Sequence, residues 1–256
     1  MRILLLSALL AAPAAAQETC WRENVSAGGL RLHAAVVPAS SFRPDFGAKT
    51  FVEASRLGLV VTNGTFFGSA GGLEPLGDVV ADGRALYRPE RNRYTASDGR
   101  RIDLSLRWGL GVDGGGQAFV VTGAEARRLK LRQYLGGAGL LLSAGRDALA
   151  EDAQRAGDWG PAFPPGILEG SPARTAVGIT LDGALVVVQA PRPKGAALPA
   201  LAAALRELGA VDAVFYDGGR ASGFSAGAAG DEDRILSKPH PAEDLNPTHL
   251  VFKACR

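Results

Sequence analysis

The sequence predicts an α+β fold: a single domain with a mixed, largely antiparallel sheet and two helix–strand repeat units packed on it. Three observations carry this expectation. Hairpin signals recur along the chain, a helix–glycine–strand unit occurs twice, and glycine makes up 34 of the 256 residues. Glycine at that density suits tight turns and close approaches of one backbone to another.

The chain opens with an address rather than a structural element. Met1-Arg2 is a short basic start, residues 3–10 are apolar, and Ala14-Ala15-Ala16 offers a small-residue cleavage site. This pattern reads as a signal peptide over residues 1–16, cleaved near Ala16. The apolar run is shorter than the roughly 20 residues a spanning helix needs, and no later run is longer, so no stable membrane insertion is expected. Residues 17–256 are the expected mature domain, periplasmic or secreted in a bacterium.

Residues 49–57 predict a short helix, capped by Gly58 and followed by a buried strand over 59–62 that ends at Asn63-Gly64. Three hairpins follow in order: 77–86 around Asp82-Gly83, 109–121 around Asp113-Gly114, and 178–188 around Asp182-Gly183. Asp-Gly between alternating apolar runs tolerates the positive φ of a type I′ turn. Six arginines between positions 84 and 101 mark a solvated loop or hairpin, and the polar, then Pro- and Gly-rich stretch 151–170 reads as a surface loop. Residues 198–208 form an amphipathic helix with Leu198, Leu201, Leu205 and Leu208 on one face. Gly209 stands at its C′ position, and a buried strand over 211–216 ends at Asp217-Gly218. The pattern helix–Gly–strand–(Asn/Asp)-Gly therefore occurs twice. Strand ends of this kind are where α/β sheets place ligands.

Composition excludes several classes. At 46% apolar and 21% charged residues the chain is neither disordered nor fibrous, and two cysteines do not make a disulfide scaffold. The balance of 28 basic against 26 acidic residues calls for no nucleic acid. Cys20 and Cys255 lie at the two ends of the mature chain, and in an oxidising compartment they are expected to pair. A loop that long gives roughly 5 kcal/mol in the chain-entropy account. With His33, His240 and His249 they offer no zinc-type spacing, so neither metal nor cofactor is expected.

Familiar catalytic motifs fail on context. Ser225, in Gly223-Phe-Ser225-Ala-Gly227, follows no buried strand directly, as a nucleophile elbow would. Gly136-Gly-Ala-Gly139 is followed by the apolar residues 140–142, where a dinucleotide fingerprint needs a helix. What remains is a polar set without histidine: Asn63, Arg174, Asp217, Arg220 and Ser222, with Glu74 and Glu169 near the motifs. Arg174 stands just before the strand 176–181, where its planar fork either pairs with a carboxylate or binds an anion.

Asn63-Gly-Thr-Phe-Phe67, followed by Pro75-Leu-Gly77 and Asp82-Gly83, resembles the Asn-Gly-Gly-Phe-Phe … Pro-x-Gly … Gly signature of the phosphodiester glycosidases. This is the domain of the mannose 6-phosphate uncovering enzyme and of bacterial exopolysaccharide-associated proteins. Ala138-Gly-Leu-Leu-Leu142 with Gly145 is similar to the family's Gly-Pro-x-Leu strand, Arg174-Thr-Ala-Val-Gly178 to its Arg-Thr-Ala-Ile-Gly, and Asp217-Gly-Gly219 with Ser222 to its Asp-Gly-Gly-Gly-Ser-Ser. The matches run in family order from about position 59 to 223. Three positions depart from the pattern: Arg220 replaces a Gly, Ala221 a Ser and Leu140 a Pro.

The resemblance implies hydrolysis of a sugar 1-phosphodiester to free sugar and phosphomonoester, through an oxocarbenium-like state that a carboxylate attacks or stabilises. Asp217 is the expected carboxylate, Arg174 the phosphate clamp, Asn63 the orienting amide and Glu74 a second carboxylate. Backbone donors are expected from Gly64, Gly218 and Gly219, and Thr65, Phe67, Thr175, Arg220 and Ser222 complete the substrate-binding set. Arg220 either ligates a different anionic group or blocks the pocket. Two other readings stay open: a non-catalytic glycan or sugar-phosphate binding module, and a metal-dependent phosphodiesterase using Asp217 with Asp212, Asp231 and Asp233.

Overall fold

A computed structural model describes residues 20–68, 74–89, 93–95, 99, 101–150, 163, 165–227, 234–241, 244 and 246–255. The expected signal segment 1–16 and the acidic run 231–233 lie outside the described residues.

The larger of two principal sheets runs, strand by strand, Trp21–Ala27, Leu30–Pro38, Ala184–Ala190, Arg174–Thr180, Ala210–Phe215, Gln133–Ser143, Trp108–Val112 and Ala118–Thr122. Val79–Ala81, Arg84–Tyr87 and Arg146–Asp147 extend it from the long Gln133–Ser143 strand. The smaller sheet runs Ile235–Ser237, Phe224–Ala226, Val60–Asn63, His249–Phe252 and Phe42–Asp45.

Every strand pair among the described residues is antiparallel, which corrects the expected mixed sheet. The reason is visible at the one long crossover. The helix Leu198–Glu207 joins Ala184–Ala190 to Ala210–Phe215, but Arg174–Thr180 lies between those strands and runs against both.

Alternation along the strands sets the layers. Val177, Leu185, Val187 and Val214 of the large sheet share one buried cluster with Phe42, Val60, Phe224, Leu250 and Phe252 of the small sheet, so the sheets face each other. Ala176, Val186, Val188, Ala213 and Phe215 turn the other way, onto Leu198, Leu201 and Leu205 of the helix. Each of those leucines is fully buried, and each such burial stabilises the fold by about 2 kcal/mol. Gly209, at φ +91°, ends the helix as expected. The first expected helix is shorter, Phe51–Ser55, with Thr50 as its N-cap.

The two helix–strand units thus do not share a sheet: Val60–Asn63 belongs to the small one and Ala210–Phe215 to the large one. The hairpins form where expected. Asp82 (φ 48°) and Gly83 (φ 76°) both adopt positive φ, as a type I′ turn requires. At Asp113 the turn is longer, because the carboxylate accepts from the N–H groups of Gly115 and Gln117 and holds a wider loop. Within the expected loop 151–170, Pro165–Glu169 is a helix; a proline that starts a helix loses no hydrogen bond there.

The first and last of the described residues are tied together. Cys20 and Cys255 form a disulfide, 235 positions apart in sequence. No helix among the described residues is long and apolar enough to cross a membrane.

Candidate active site

The two (Asn/Asp)-Gly strand ends meet. Asn63 closes its strand in the small sheet, and its Nδ2 donates to the Asp217 carbonyl at 2.6 Å. The Asp217 N–H donates in return to the Gly64 carbonyl at 3.1 Å. Tyr216 anchors the preceding position: its hydroxyl accepts from the Leu110 N–H and donates to the Leu135 carbonyl. Burial holds the Tyr216 phenol well above its ordinary pKa, so it remains a donor. The Asp217 backbone is therefore fixed on both sides, while its side chain lies at a half-buried position.

Asn63 Oδ1 accepts from Thr175 Oγ1 at 2.6 Å, from the Gly223 N–H at 3.2 Å and from Thr62 Oγ1 at 3.3 Å. Thr175 and Ser222 hydroxyls are 3.2 Å apart, and Gln189 Nε2 donates to Ser222 Oγ and to Ser237 Oγ. Asn63, Thr175, Ser222 and Gln189 are all buried. They form a polar seam between the sheets, running from Asp217 to Ser237. Gln189 Oε1 has no partner among the described residues. An unmatched buried acceptor costs about 1–3 kcal/mol.

Arg174 is 2% exposed. Its Nε donates to the Ala196 carbonyl, and its Nη2 to the carbonyls of Ile167 and Gly170. These bonds fasten the helix Pro165–Glu169 against the site, and Nη1 is left without a hydrogen bond among the described residues. Burial lowers the Arg174 pKa to about 10, opposed by the nearby Asp217 charge. It stays charged at neutral pH.

The backbone donors expected from the glycines are spent. The Gly64 N–H bonds the Thr248 carbonyl, Gly218 N–H bonds Asp217 Oδ1 at 2.7 Å, and Gly219 N–H bonds the Ala173 carbonyl. These glycines serve close packing instead: a Cβ on Gly64 would lie 2.4 Å from Thr248 Oγ1, and one on Gly218 2.4 Å from the Ala173 carbonyl oxygen. Gly218 N–H orients the Asp217 carboxylate rather than standing open to a ligand.

The other expected residues are more spread. Thr65 is buried, its N–H bonded to Thr248 Oγ1, with its own hydroxyl unpartnered among the described residues. Phe67 and Glu74 lie on the two-stranded ribbon Phe67–Gly68 and Glu74–Pro75, where Glu74 is exposed and makes no bond to the seam. Arg220 is exposed, and its Nη2 is 2.8 Å from His240 Nδ1, beside the His240 N–H bond to the Arg220 carbonyl. An arginine only donates, so the imidazole accepts there. Asp212 accepts from the Ala144 N–H and lies five positions before Asp217, roughly 16 Å along an extended chain. No group of three metal-ligating side chains occurs among the described residues.

Gln189, Thr248 and His240 were not among the expected residues. Gln189 carried a usable signal, as the lone polar side chain of the run Ala184–Ala190. Thr248 and His240 had none, since only the tertiary fold brings them to these glycines and to Arg220.

The profile of the phosphodiester glycosidase family matches residues 57–253. Among solved structures, the catalytic domain of zebrafish N-acetylglucosamine-1-phosphodiester alpha-N-acetylglucosaminidase, auto-inhibited by its pro-peptide, is similar, with a TM-score of 0.61 and 18% identity. The match covers 91% of this chain and 81% of that one. A hypothetical protein from Synechocystis is similar at a TM-score of 0.60 and 17% identity, covering 90% of this chain and 60% of that one. At such identities the likeness is one of fold. No curated protein matches the sequence.

Proposed function

Because the chain belongs to the phosphodiester glycosidase family, we propose that it hydrolyses a sugar 1-phosphodiester, releasing free sugar and a phosphomonoester. The observation that carries this reading is the reciprocal clamp of Asn63-Gly64 on Asp217, which holds a half-buried carboxylate at the junction of two sheets.

Cleavage at an anomeric carbon develops positive charge on the sugar, and a fixed carboxylate stabilises or attacks it. Asp217 takes that role, its Oδ1 oriented by the Gly218 N–H. The departing phosphate monoester is a good leaving group, so charge stabilisation matters more than protonation. Arg174 Nη1 is the cation assigned to the phosphate, and Glu74 is the second carboxylate, assigned to proton transfer. Asn63, Thr175 and Ser222 act by holding Asp217 in place rather than by touching substrate.

We place the activity in residues 17–256 after export, on a phosphodiester-linked glycan of the cell envelope or an exopolysaccharide. The signal-like start and the disulfide support that compartment.

The experiment is turnover of a panel of chromogenic sugar 1-phosphodiesters by the mature protein, with and without chelator. Sugar release that survives chelation supports the glycosidase. Sensitivity to chelator points to the metal enzyme, and saturable binding without turnover points to a glycan-binding module.

A further inference from the structure

A cavity of about 210 Å³ lies apart from the seam, lined by Asp78, Val80, Arg88, Arg127, Lys130 and Tyr134 among others. Its size decides what it can hold. One water occupies roughly 30 Å³ of liquid, and drug-sized ligands need some 300 Å³ or more. A single small molecule fits.

Its charge is one-sided. Asp78, 4% exposed, is engaged by Arg127 in a two-point bond, Nε to Oδ2 at 2.7 Å and Nη2 to Oδ1 at 2.8 Å. The neighbouring Asp82 is likewise occupied, by Gln133 Nε2 and Arg132. Glu125 is consumed in the capping box of the helix Gly123–Leu129. The side chains of Arg88 and Lys130 make no hydrogen bond or ion pair among the described residues. Three cations against one carboxylate leave the cavity at +2, and the cations are held from different elements. Arg88 follows the strand Arg84–Tyr87, while Lys130 caps the helix in a left-handed conformation, φ 53°. Val80, Ala126, Leu131 and the buried Tyr134 provide an apolar wall.

We infer that this cavity binds a compact dianion of the phosphate class, either inorganic phosphate or a small phosphomonoester. Near neutral pH such a group carries close to two negative charges and three acceptor oxygens. That matches the +2 left by the Arg88 guanidinium and the Lys130 ammonium once the Arg127 fork is spent on Asp78. The apolar wall suits the organic body of a monoester. The site does not depend on the glycosidase reading, since it shares no residue with the seam.

Calorimetric titration of inorganic phosphate and of glycerol 3-phosphate tests it, on the wild-type protein and on the double variant Arg88→Gln, Lys130→Gln. Both side chains are exposed, so the variant keeps its fold. We expect saturable binding that weakens at least tenfold in the double variant. Tighter binding of glycerol 3-phosphate assigns the site to a phosphomonoester, and equal affinity assigns it to free phosphate. Absence of saturable binding for both anions, or binding that the double substitution leaves unchanged, overturns the inference.

Discussion

Thr175 Oγ1 donates to Asn63 Oδ1 over 2.6 Å and so joins two strand ends that belong to different sheets, 112 positions apart in sequence. The same amide donates its N–H to the carbonyl of Asp217. One side chain therefore sets the spacing of the sheets and the position of the carboxylate together. The placement of Asp217 and the stability of the fold are coupled at Asn63.

Replacing Asn63 by Ala leaves the Gly223 N–H and the Asp217 carbonyl without their buried partners. Each such loss costs about 1–3 kcal/mol, so Asn63→Ala is expected to lower unfolding stability by about 3 kcal/mol. Denaturant titration measures this, and turnover of the surviving folded protein should fall as well.

Asp217→Asn keeps the Gly218 contact and the backbone clamp but removes the charge. We expect a folded protein whose turnover falls more than about a hundredfold, in the range of lost catalytic carboxylates. Glu74→Gln should cost a smaller factor, because the phosphate departs with little help from an acid. Equal losses would mean that leaving-group protonation limits the rate.

His33 offers a pH test of the fold. It is 7% exposed, stacks on Phe224 at 5.8 Å, and its Nδ1 has no partner among the described residues. Burial lowers its pKa below the ordinary 6.5, with Glu23 opposing. The unfolded chain then takes up a proton before the folded one, so stability falls as pH drops through 6.5 and levels off below the folded-state value. Denaturation midpoints between pH 7.5 and 5 should show this decline, and His33→Gln should flatten it.

The disulfide closes a loop between positions 235 apart in sequence. Reduction is expected to lower stability by up to about 5 kcal/mol, the chain-entropy value for so long a loop. Thermal unfolding with and without reductant measures the difference.

Local features were legible in the sequence where local chemistry decides them. Asp82-Gly83 specified its turn, the leucine spacing specified the outer helix, and Gly209 its end. The two (Asn/Asp)-Gly strand ends were visible, but their mutual clamp was not, because it spans 154 positions and depends on pairing two sheets. Close packing against Thr248 and Ala173 explains Gly64 and Gly218; the N–H groups that look like open donors in the sequence are taken by the Thr248 carbonyl and by Asp217 Oδ1, contacts that only the tertiary fold sets. From sequence Arg174 either pairs with a carboxylate or clamps an anion, but in the fold the carbonyls of Ile167, Gly170 and Ala196, brought in from the stretch that looks like loop and from beyond the next strand, occupy its Nε and Nη2.

The most direct test is hydrolysis of a sugar 1-phosphodiester in water enriched in oxygen-18, with the released phosphomonoester read by its phosphorus-31 isotope shift. A glycosidase breaks the bond between the anomeric carbon and oxygen, so the phosphomonoester is expected to carry no label. Label in the phosphomonoester would mean attack at phosphorus and would contradict the assignment of Asp217 to the sugar.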